Sequence, residues 1–355
     1  MVKIYEKEVF AVEKLKNAEF KPLFNEKRIP LHSVLPLDTP MAFGVGVSQL
    51  CNIRCKYCFH ALTDNELAEK GFKAINMDLT TYKKIVELLK EFPNRIKSIS
   101  MAGQGEPLCN PHFAEMVKII KDADISDDVS TITNGLLLNK HLIENIVDAG
   151  LDRIFISVQG MSSEKYNEIC GRSIDFENYV DNIKYLYEYS RGKCKVNIKI
   201  ADIALKNGEE ELFFKTFGNI CDRIHIETIK PLYSGVDYSG ILDQNLTDMT
   251  TTRFGRVHKM QKACYLAFYM MCVNPDGKIK TCGVPFPGLW LGDIKDRTLV
   301  EAWNSNERKE FLMAMLKGQR EKMECCRDCD FPNDVPSEND EIDPHADELI
   351  KKFEN

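Results

Sequence analysis

The sequence predicts an α/β fold built on a parallel sheet, followed by a small module made of a β-hairpin and a helix. From residue 41 to about 240, short apolar runs rich in β-branched residues alternate with longer amphipathic stretches. This alternation is typical of consecutive βα units whose strands pair in parallel. Near residue 247 the alternation stops, and cysteines and a Pro-Asp-Gly turn follow. We expect an N-terminal arm (1–40), an α/β domain (41–240), a cysteine-rich module (241–335) and an acidic tail (336–355).

The two ends of the chain carry weaker patterns than the middle. Residues 1–40 contain four prolines and no sustained apolar period, which predicts an extended arm with one short helix near Val9–Ala18. The acidic segment from Ser337 onward predicts a solvated end with a short helix.

The apolar runs and amphipathic stretches of the α/β domain define its predicted elements. Asp78 and Asn139 each precede a predicted helix and suit N-caps, because a short polar side chain can accept a first-turn N–H. Chemistry in such folds collects in the loops after the strands, where we expect functional residues. The predicted strands are Ala42–Val47, Ser98–Ala102, Val129–Thr133, Arg153–Val158, Val196–Ala201 and Arg223–Ile229. The predicted helices are Leu79–Phe92, Phe113–Ala123, Lys140–Ala149, Phe176–Tyr189 and Glu209–Ile220.

Composition narrows the classes of function. The chain has 355 residues and a net charge of −7 with scattered Lys and Arg, so we expect no nucleic-acid partner and favour a small-molecule or peptide substrate. The N-terminus has no signal-peptide h-region, and the longest apolar run, Tyr265–Val273, is too short to span a bilayer. We therefore expect a cytoplasmic protein with no membrane partner. Thirteen cysteines in a reducing compartment indicate metal or redox chemistry rather than disulfides.

The first cysteine group is a loop directly after the first predicted strand. Cys51, Cys55 and Cys58 are close enough in sequence to bind one soft metal centre. Three thiolates leave one iron of a four-iron cluster open to an exogenous ligand, and an open iron is reactive. A zinc knuckle or a set of buried thiols is the alternative interpretation of the spacing alone.

With Tyr57 directly before its last cysteine, this loop resembles the signature of the radical S-adenosylmethionine (SAM) enzymes. The resemblance implies a partial (β/α)6 barrel and a 4Fe–4S cluster whose open iron chelates the amino and carboxylate groups of SAM. It also implies that an electron from the cluster cleaves SAM to a 5′-deoxyadenosyl radical, which abstracts hydrogen from the substrate. An external electron donor such as flavodoxin or ferredoxin would then be a partner.

The loop after the second strand, Gly103–Pro107, resembles the family's Gly-Gly-Glu-Pro motif, which binds the SAM amino group. Gln104 stands where the family has its first glycine, whereas Gly105 is kept. Glycine lets backbone approach a ligand closely, and Glu106 adds an acceptor for an ammonium group.

Polar residues after the third and fourth strands also match family positions. The family usually has a polar pair near the ribose and methionine of SAM after its fourth strand, and an arginine that binds the SAM carboxylate further on. Small polar groups at strand ends also cap helices, which is the alternative for each alone. The resemblance implies SAM contacts at Tyr57, Gln104, Gly105, Glu106, Thr133, Asn134, Ser157, Gln159 and Arg172.

The catalytic residue is unknown from the sequence. The last two strands of the domain supply titratable groups near the barrel mouth, and alternation sends about half of such groups away from it. Free cysteines are the other class of candidate, although most are packed like apolar residues. The titratable groups are Lys199, Asp202, His225, Glu227 and Lys230, and the catalytic candidates are Cys109, Cys170, Cys272 and Glu227.

In the C-terminal module, Pro275-Asp276-Gly277 predicts a hairpin turn within Val273–Ile279, with Cys264 and Cys282 beside each other, and a helix is expected over Leu299–Leu316. The module resembles the twitch domain, a shortened SPASM extension that holds one auxiliary 4Fe–4S cluster, so the resemblance implies two clusters in all. Zinc is the alternative occupant. Cys272 and Cys325 are spare, and Cys325 could replace Cys326. The implied ligands are Cys264, Cys282, Cys326 and Cys329.

A fully ligated auxiliary cluster has no open site, so we interpret it as an electron conduit. Family members of this kind include dehydrogenases that oxidise a secondary alcohol of an aminocyclitol to a ketone. The resemblance therefore implies a dehydrogenase of a small carbohydrate-like or aminocyclitol substrate. An epimerase with a cysteine hydrogen donor and a peptide- or protein-modifying enzyme are the alternatives.

Three neighbouring classes lack support in the sequence. Sulfatase-maturing and most peptide-modifying members need further cysteines after the position of Cys329. The molybdenum-cofactor cyclase has a three-cysteine auxiliary site and ends in Gly-Gly, whereas this sequence ends Phe353-Glu354-Asn355. Leader-binding peptide modifiers begin with a winged helix, for which the proline-rich arm is too short.

Overall fold

The α/β fold predicted from the sequence is confirmed in a computed structural model. The structure describes residues 18–20, 28–206, 208–241, 250–254, 256–285 and 288–354. Within these residues ten strands form one sheet. They are β1 (Glu19–Phe20), β2 (Ala42–Val45), β3 (Ser98–Ser100), β4 (Val129–Thr133), β5 (Arg153–Val158), β6 (Lys195–Ala201), β7 (Arg223–Glu227), β8 (Met270–Val273), β9 (Lys278–Lys280) and β10 (Trp290–Asp293).

The strand order shows how the two predicted parts join. The order across the sheet is β1-β7-β6-β5-β4-β3-β2-β8-β9-β10. Strands β2 to β7 pair in parallel with their sequence neighbours, as in a series of βα units. Strand β8 pairs in parallel with β2, whereas β9 and β10 are antiparallel. The C-terminal hairpin therefore extends the sheet of the partial barrel.

Helices connect the parallel strands, and their starts follow the predicted caps. Asp78 accepts a hydrogen bond from the Thr81 N–H and Asn139 accepts one from the Leu142 N–H, which confirms both N-caps. The helices of the described residues are α1 (Leu31–Val34), α2 (Asp64–Glu69), α3 (Leu79–Leu89), α4 (Phe113–Asp122), α5 (Lys140–Asp148), α6 (Ser163–Cys170), α7 (Phe176–Ser190), α8 (Glu209–Phe217), α9 (Tyr265–Tyr269), α10 (Leu299–Trp303), α11 (Asn306–Leu316) and α12 (Ala346–Glu354). Among the described residues no helix is both long and apolar enough to cross a bilayer.

The sheet has one apolar face and one face that carries polar side chains. Ile156, Ile198 and Ile224 are fully buried on neighbouring strands and belong to the main core. Their alternate neighbours point the other way, because side chains alternate along a strand. Register places Ser157, Lys199 and His225 side by side on one face of β5, β6 and β7. The same face continues across the sheet through the neighbouring residues Arg153, Ser130, Ser100, Gly44 and Cys272. We call this polar side the inner face.

The C-terminal module confirms the predicted hairpin and corrects the predicted helix. Strands β8 and β9 meet at the turn, where Gly277 has a φ of +86° and its N–H donates to the Asn274 carbonyl. The single helix expected over Leu299–Leu316 is wrong, because α10 ends at Trp303 and α11 begins at Asn306. Ser305 caps the second helix by accepting the Arg308 N–H. A cap residue in mid-pattern therefore splits one apolar period into two helices.

The acidic tail is not a solvated end. Its predicted short helix exists as α12, but Leu349 is fully buried and packs in one cluster with Leu31 and Phe311. An ion pair between Arg28 and Asp340, with the two atoms 2.9 Å apart, joins the arm to the same region. The acidic residues of the tail predicted that it would be exposed to solvent. Instead, the apolar side of α12 packs against the arm and α11. The arm helix predicted near Val9–Ala18 lies outside the described residues except for Ala18.

Candidate active site

The cluster loop, residues Cys51 to Cys58, follows β2 and is held by main-chain hydrogen bonds to the end of α6. The Arg54 N–H donates to the Cys170 carbonyl at 3.1 Å, and the Lys56 N–H donates to the Ile169 carbonyl at 2.9 Å. These contacts fix the backbone between the cysteines at the carboxyl end of the parallel strands. Site residues are expected at this edge of such a sheet.

The three loop cysteines have the chemistry that an iron–sulfur cluster requires. Burial raises the pKa of Cys51 and of Cys58 to about 12. Cys55 is buried, and its thiol hydrogen bond with Cys170 and its burial both raise its pKa. Such thiols form thiolates only when a metal replaces the proton. No three His, Cys, Asp or Glu side chains of the described residues converge on a single-ion site, whereas a four-iron cluster takes its thiolates at separate irons.

Glu106 is a buried carboxylate whose hydrogen bonds are made within the protein. It accepts from the Thr133 hydroxyl at 2.6 Å, the Asn134 N–H at 2.7 Å and the Leu108 N–H at 3.0 Å. Burial raises its pKa to about 7, although these donors favour the charged form. Glu106 therefore joins the loop after β3 to the loop after β4. Both loops carry residues that the sequence assigned to SAM.

Gly105 is needed because its backbone lies against the start of the cluster loop. A Cβ at this position would lie 2.4 Å from the Leu50 carbonyl oxygen, which no side chain could occupy. The Glu106 N–H also donates to that oxygen at 2.7 Å. The motif loop and the cluster loop are therefore in direct contact.

Gln104 has a buried amide that bridges distant parts of the chain. It accepts from the Gln49 amide at 2.7 Å and donates to the Asn274 side chain at 2.9 Å. His60 contacts its main-chain carbonyl at 2.8 Å. The residue that departs from the family motif thus joins the segments on either side of the cluster loop to the hairpin turn.

Asn134 and Arg172 both bind Asn52 in the cluster loop. The Asn134 amide donates to the Asn52 side-chain oxygen at 2.7 Å, and the exposed Arg172 guanidinium donates to the Asn52 carbonyl at 2.9 Å. The structure therefore brings these two predicted SAM contacts to the same side of the loop.

Tyr57 and Gln159 form a hydrogen-bonded pair, and Gln159 also contacts the main chain of Ser157, which register places on the inner face. The Tyr57 hydroxyl donates to the Gln159 amide oxygen, which also lies 3.6 Å from the Cys55 sulfur. The Gln159 amide N–H donates to the Ser157 carbonyl at 3.0 Å. Gln159 thus orders the aromatic residue and a loop cysteine together.

Charged residues on the inner face form a second part of the site. Lys199 and Glu227 make a close ion pair, and the next strand presents His225 beside Lys199. Although burial alone would raise it, the Lys199 and Arg253 charges lower the pKa of Glu227 to about 2. Burial lowers the pKa of His225 to about 4. At neutral pH the inner face therefore carries a carboxylate and a neutral imidazole.

Arg253 brings the C-terminal region close to Glu227, and sequence reasoning missed it. We call the group of Lys199, Glu227 and Arg253 the charged pocket. The Arg253 guanidinium is paired with Asp334, and the Arg253 main-chain N–H donates to the same carboxylate at 2.8 Å. It also lies over the Phe331 ring at 5.6 Å. No local motif marks Arg253. Its closeness to Glu227 depends on how the chain returns to the barrel mouth.

The four predicted auxiliary ligands, Cys264, Cys282, Cys326 and Cys329, lie near one another in the C-terminal module. Burial, together with the neighbouring Cys282 and Cys329, raises the pKa of Cys264 to about 12. Cys264 and Cys282 are among the groups that raise the pKa of Cys326, whereas the main influences on the pKa of Cys325 are Cys326 and burial. Cys264 begins α9 rather than lying on a hairpin strand. The set suits a second cluster, and these observations favour Cys326 over Cys325 as its ligand.

Arg320 fixes the loop that carries the last two of these cysteines. Its guanidinium donates to the Cys326 carbonyl at 3.1 Å and to the Cys329 carbonyl at 2.9 Å. It also donates to the Gln261 carbonyl at 3.2 Å. One side chain therefore holds the loop in place against the segment that leads to Cys264.

The three cysteines proposed as hydrogen donors occupy different surroundings. Cys109 is half-buried after the motif loop, and Cys170 is buried and interacts with Cys55, one of the expected cluster ligands. Cys272 lies on the inner face of β8, where its sulfur would be 2.5 Å from a Cβ at Gly44. Of the three, Cys272 alone is placed by register on the inner face.

Family comparisons match both halves of this site. The model of the radical SAM superfamily matches residues 45–200, and the model of the SPASM iron–sulfur cluster-binding domain matches residues 264–330. The first range contains the cluster loop and the predicted SAM contacts. The second contains Cys264, Cys282, Cys326 and Cys329. The cofactors are therefore SAM and iron–sulfur clusters.

A curated relative matches part of this chain. The GTP 3′,8-cyclase of Alkaliphilus metalliredigens is 30% identical over 158 residues, which is 44% of this chain and 46% of that protein. The matched part thus spans about half the length of the relative.

BtrN in complex with AdoMet and 2-DOIA is 16% identical with a TM-score of 0.51 and covers 84% of this chain and 97% of that chain. Streptococcus suis SuiB bound to S-adenosylmethionine is 17% identical with a TM-score of 0.59 and covers 86% and 74%. At these identities the two structures show the fold alone.

Proposed function

We propose that this chain, which carries a radical SAM domain and a C-terminal SPASM-type cluster-binding domain, oxidises a secondary alcohol of a small carbohydrate-like or aminocyclitol substrate. The proposal rests on one observation above others. The charged pocket of Lys199, Glu227 and Arg253 lies beside an aromatic bridge that contacts both groups of cysteines.

Tyr233 is the centre of that bridge. It packs in one cluster with Cys58 and in another with Cys282 and Cys329. Its ring lies 5.5 Å from the Phe59 ring and 5.8 Å from the Phe331 ring. A substrate held by the pocket would therefore lie between the two cysteine groups.

Oxidation of a secondary alcohol to a ketone removes a hydrogen atom, a proton and an electron from the substrate. The carbon loses a hydrogen atom, the hydroxyl loses a proton, and the resulting radical loses one electron as the ketone forms. When bound, SAM and the loop cluster supply a 5′-deoxyadenosyl radical, and the auxiliary cluster supplies an acceptor for one electron. The charged Glu227 carboxylate, or the neutral His225 beside it, can accept the proton.

Charge balance in the pocket favours a polyhydroxy or amino compound. Lys199 is paired with Glu227 and Arg253 with Asp334, so these two pairs present donors and acceptors together and carry no net charge. A triphosphate needs an excess of positive charge. The GTP 3′,8-cyclase of Alkaliphilus metalliredigens matches 44% of this chain, and that of Limosilactobacillus fermentum matches 72% of it at 26% identity, so the similarity alone does not assign their substrate to this chain.

Epimerisation is the second candidate, because Cys272 presents a thiol on the inner face. An epimerase would return a hydrogen atom from such a thiol to the substrate carbon. A peptide substrate is the remaining alternative, and the SuiB structures show only that the fold is shared. A flavodoxin or ferredoxin would supply the electron that starts either reaction.

We expect Glu227→Gln to lose at least 100-fold of product formation, because positioned acid–base groups contribute about 10²–10⁴-fold. Formation of 5′-deoxyadenosine without substrate should persist, since Glu227 does not hold the loop cluster. Both would be measured by mass spectrometry with a panel of cyclitols and amino sugars that includes 2-DOIA. Glu188→Gln, on the exposed face of α7, is the matched control. Equal product from wild type and Glu227→Gln would contradict the assignment.

A further inference from the structure

Lys280 is a buried lysine that the proposed reaction does not yet use. It lies on β9 and is only 1% exposed. Its ammonium donates to the main-chain carbonyl of Val284 and to that of Pro285 at 3.2 Å. In the described part of the chain, no carboxylate lies within ion-pair distance of it. A buried cation of this kind is strongly destabilising unless negative charge lies nearby.

The groups around Lys280 are cysteines. Cys272 is its cross-strand partner on β8, and such partners have Cβ atoms about 5 Å apart. A Cβ at Gly288 would lie 2.7 Å from the Cys282 sulfur and 3.7 Å from Lys280 Cε, so both side chains meet at this point. The Gly288 N–H donates to the Cys325 carbonyl at 3.0 Å. The lysine therefore extends along the cysteine-lined side of the hairpin.

We infer that Lys280 holds a fixed positive charge beside the auxiliary cluster and makes that cluster a better electron acceptor. Cys282 is one of the four expected ligands, and a thiolate-bound cluster is anionic. Reduction adds one more negative charge, which a nearby cation in a low-dielectric site stabilises. The anionic cluster in turn supplies the negative charge that the buried ammonium lacks. The inference rests on the proposed function for the direction of electron flow.

Two features of the site fit this role. The ammonium is oriented by two carbonyls and lies 5.3 Å from the Trp290 ring centre, so its position is fixed. Lys278, two residues earlier on β9, is exposed and lies 5.7 Å from the same ring. Water screens the Lys278 charge but not the Lys280 charge. Lys278 is therefore a matched control on the same strand.

The test is a redox titration of the full-length reconstituted chain, followed by electron paramagnetic resonance. Lys280→Gln and Lys280→Met would be compared with wild type and with Lys278→Met. The series would be repeated with Cys51, Cys55 and Cys58 replaced by Ala, where only the auxiliary signal remains. At the potential where half of the wild-type cluster is reduced, the ratio of reduced to oxidised cluster should fall about tenfold in both Lys280 variants, which corresponds to about 59 mV. Lys278→Met should stay close to wild type.

Every outcome decides the inference. An unchanged ratio in Lys280→Gln, which keeps an N–H donor for the carbonyls, would overturn it. An equal shift in Lys278→Met would also overturn it, since any lysine of the strand would then serve. Loss of the auxiliary irons in both Lys280 variants would instead assign the residue to cluster assembly. The titration needs no substrate, so failure of the proposed alcohol oxidation would leave its result unaffected.

Discussion

Replacing Cys51, Cys55 and Cys58 together with Ala is expected to abolish formation of 5′-deoxyadenosine from SAM. The three thiols are the expected ligands of a cluster with one open iron, and the loop that carries them is hydrogen-bonded to the end of α6. After anaerobic reconstitution the wild-type chain should bind about eight irons and the variant about four, since each four-iron cluster is lost as a unit. Iron analysis and chromatographic assay of 5′-deoxyadenosine measure both effects.

The control for this experiment replaces Cys194 and Cys221, two buried cysteines whose sulfurs contact main-chain carbonyls. This double variant should keep its full iron content and its SAM cleavage. SAM cleavage in the triple variant would contradict the assignment of the first cluster to this loop. A wild-type chain that bound only about four irons would contradict the presence of the auxiliary cluster.

Cys326→Ala is expected to lose the auxiliary cluster, whereas Cys325→Ala should keep it. Cys326 is buried and interacts with Cys264 and Cys282, while Cys325 is half-buried and its carbonyl is bound by Gly288. Iron content should therefore fall from about eight to about four in the first variant only. Product formation should fall with it, while SAM cleavage persists at the loop cluster.

The two adjacent variants control for each other, because each removes one sulfur from the same loop. Their thiols are 3.7 Å apart, and their mutual hydrogen bond lowers the pKa of Cys325 to about 7 while raising that of Cys326. A loss of iron in Cys325→Ala alone would show that the metal captures the more acidic thiol. The ligand assignment would then move by one residue.

The sequence predicted the parts of the fold that depend on local pattern. Strands β4 and β5 occur at their predicted bounds, and the caps at Asp78 and Asn139 form as expected. These features follow from apolar period and from one side chain near one helix end. The cysteine loop was equally local. Its spacing alone indicated a metal centre with three protein ligands.

Contacts between distant segments could not be predicted in this way. Gln104 binds Asn274 across 170 residues, and Arg253 reaches Asp334 across 81 residues, so neither pair has a local signal. Glu106 illustrates a related limit. Its motif suggested an acceptor for SAM, whereas the structure shows three donors from the protein already bound to it.

The acidic tail was misjudged because composition outweighed periodicity. Its carboxylates predicted a solvated segment, but Leu349 lies on a face of α12 that is buried in one cluster with Leu31. Surface helices combine such charge with one buried stripe.

The central claim is that the substrate gives one hydrogen atom to the SAM-derived radical and leaves as a ketone. The measurement is turnover in deuterium oxide, with substrate drawn from the panel of cyclitols and amino sugars and with product analysed by mass spectrometry. The account predicts a product lighter than the substrate by two hydrogens, with one 5′-deoxyadenosine formed per ketone and no solvent deuterium at the oxidised carbon. An isomer of the substrate in which one deuterium replaces the hydrogen at that carbon would contradict it. Loss of that product in Cys272→Ala, but not in Cys109→Ala or Cys170→Ala, would identify the thiol of an epimerase.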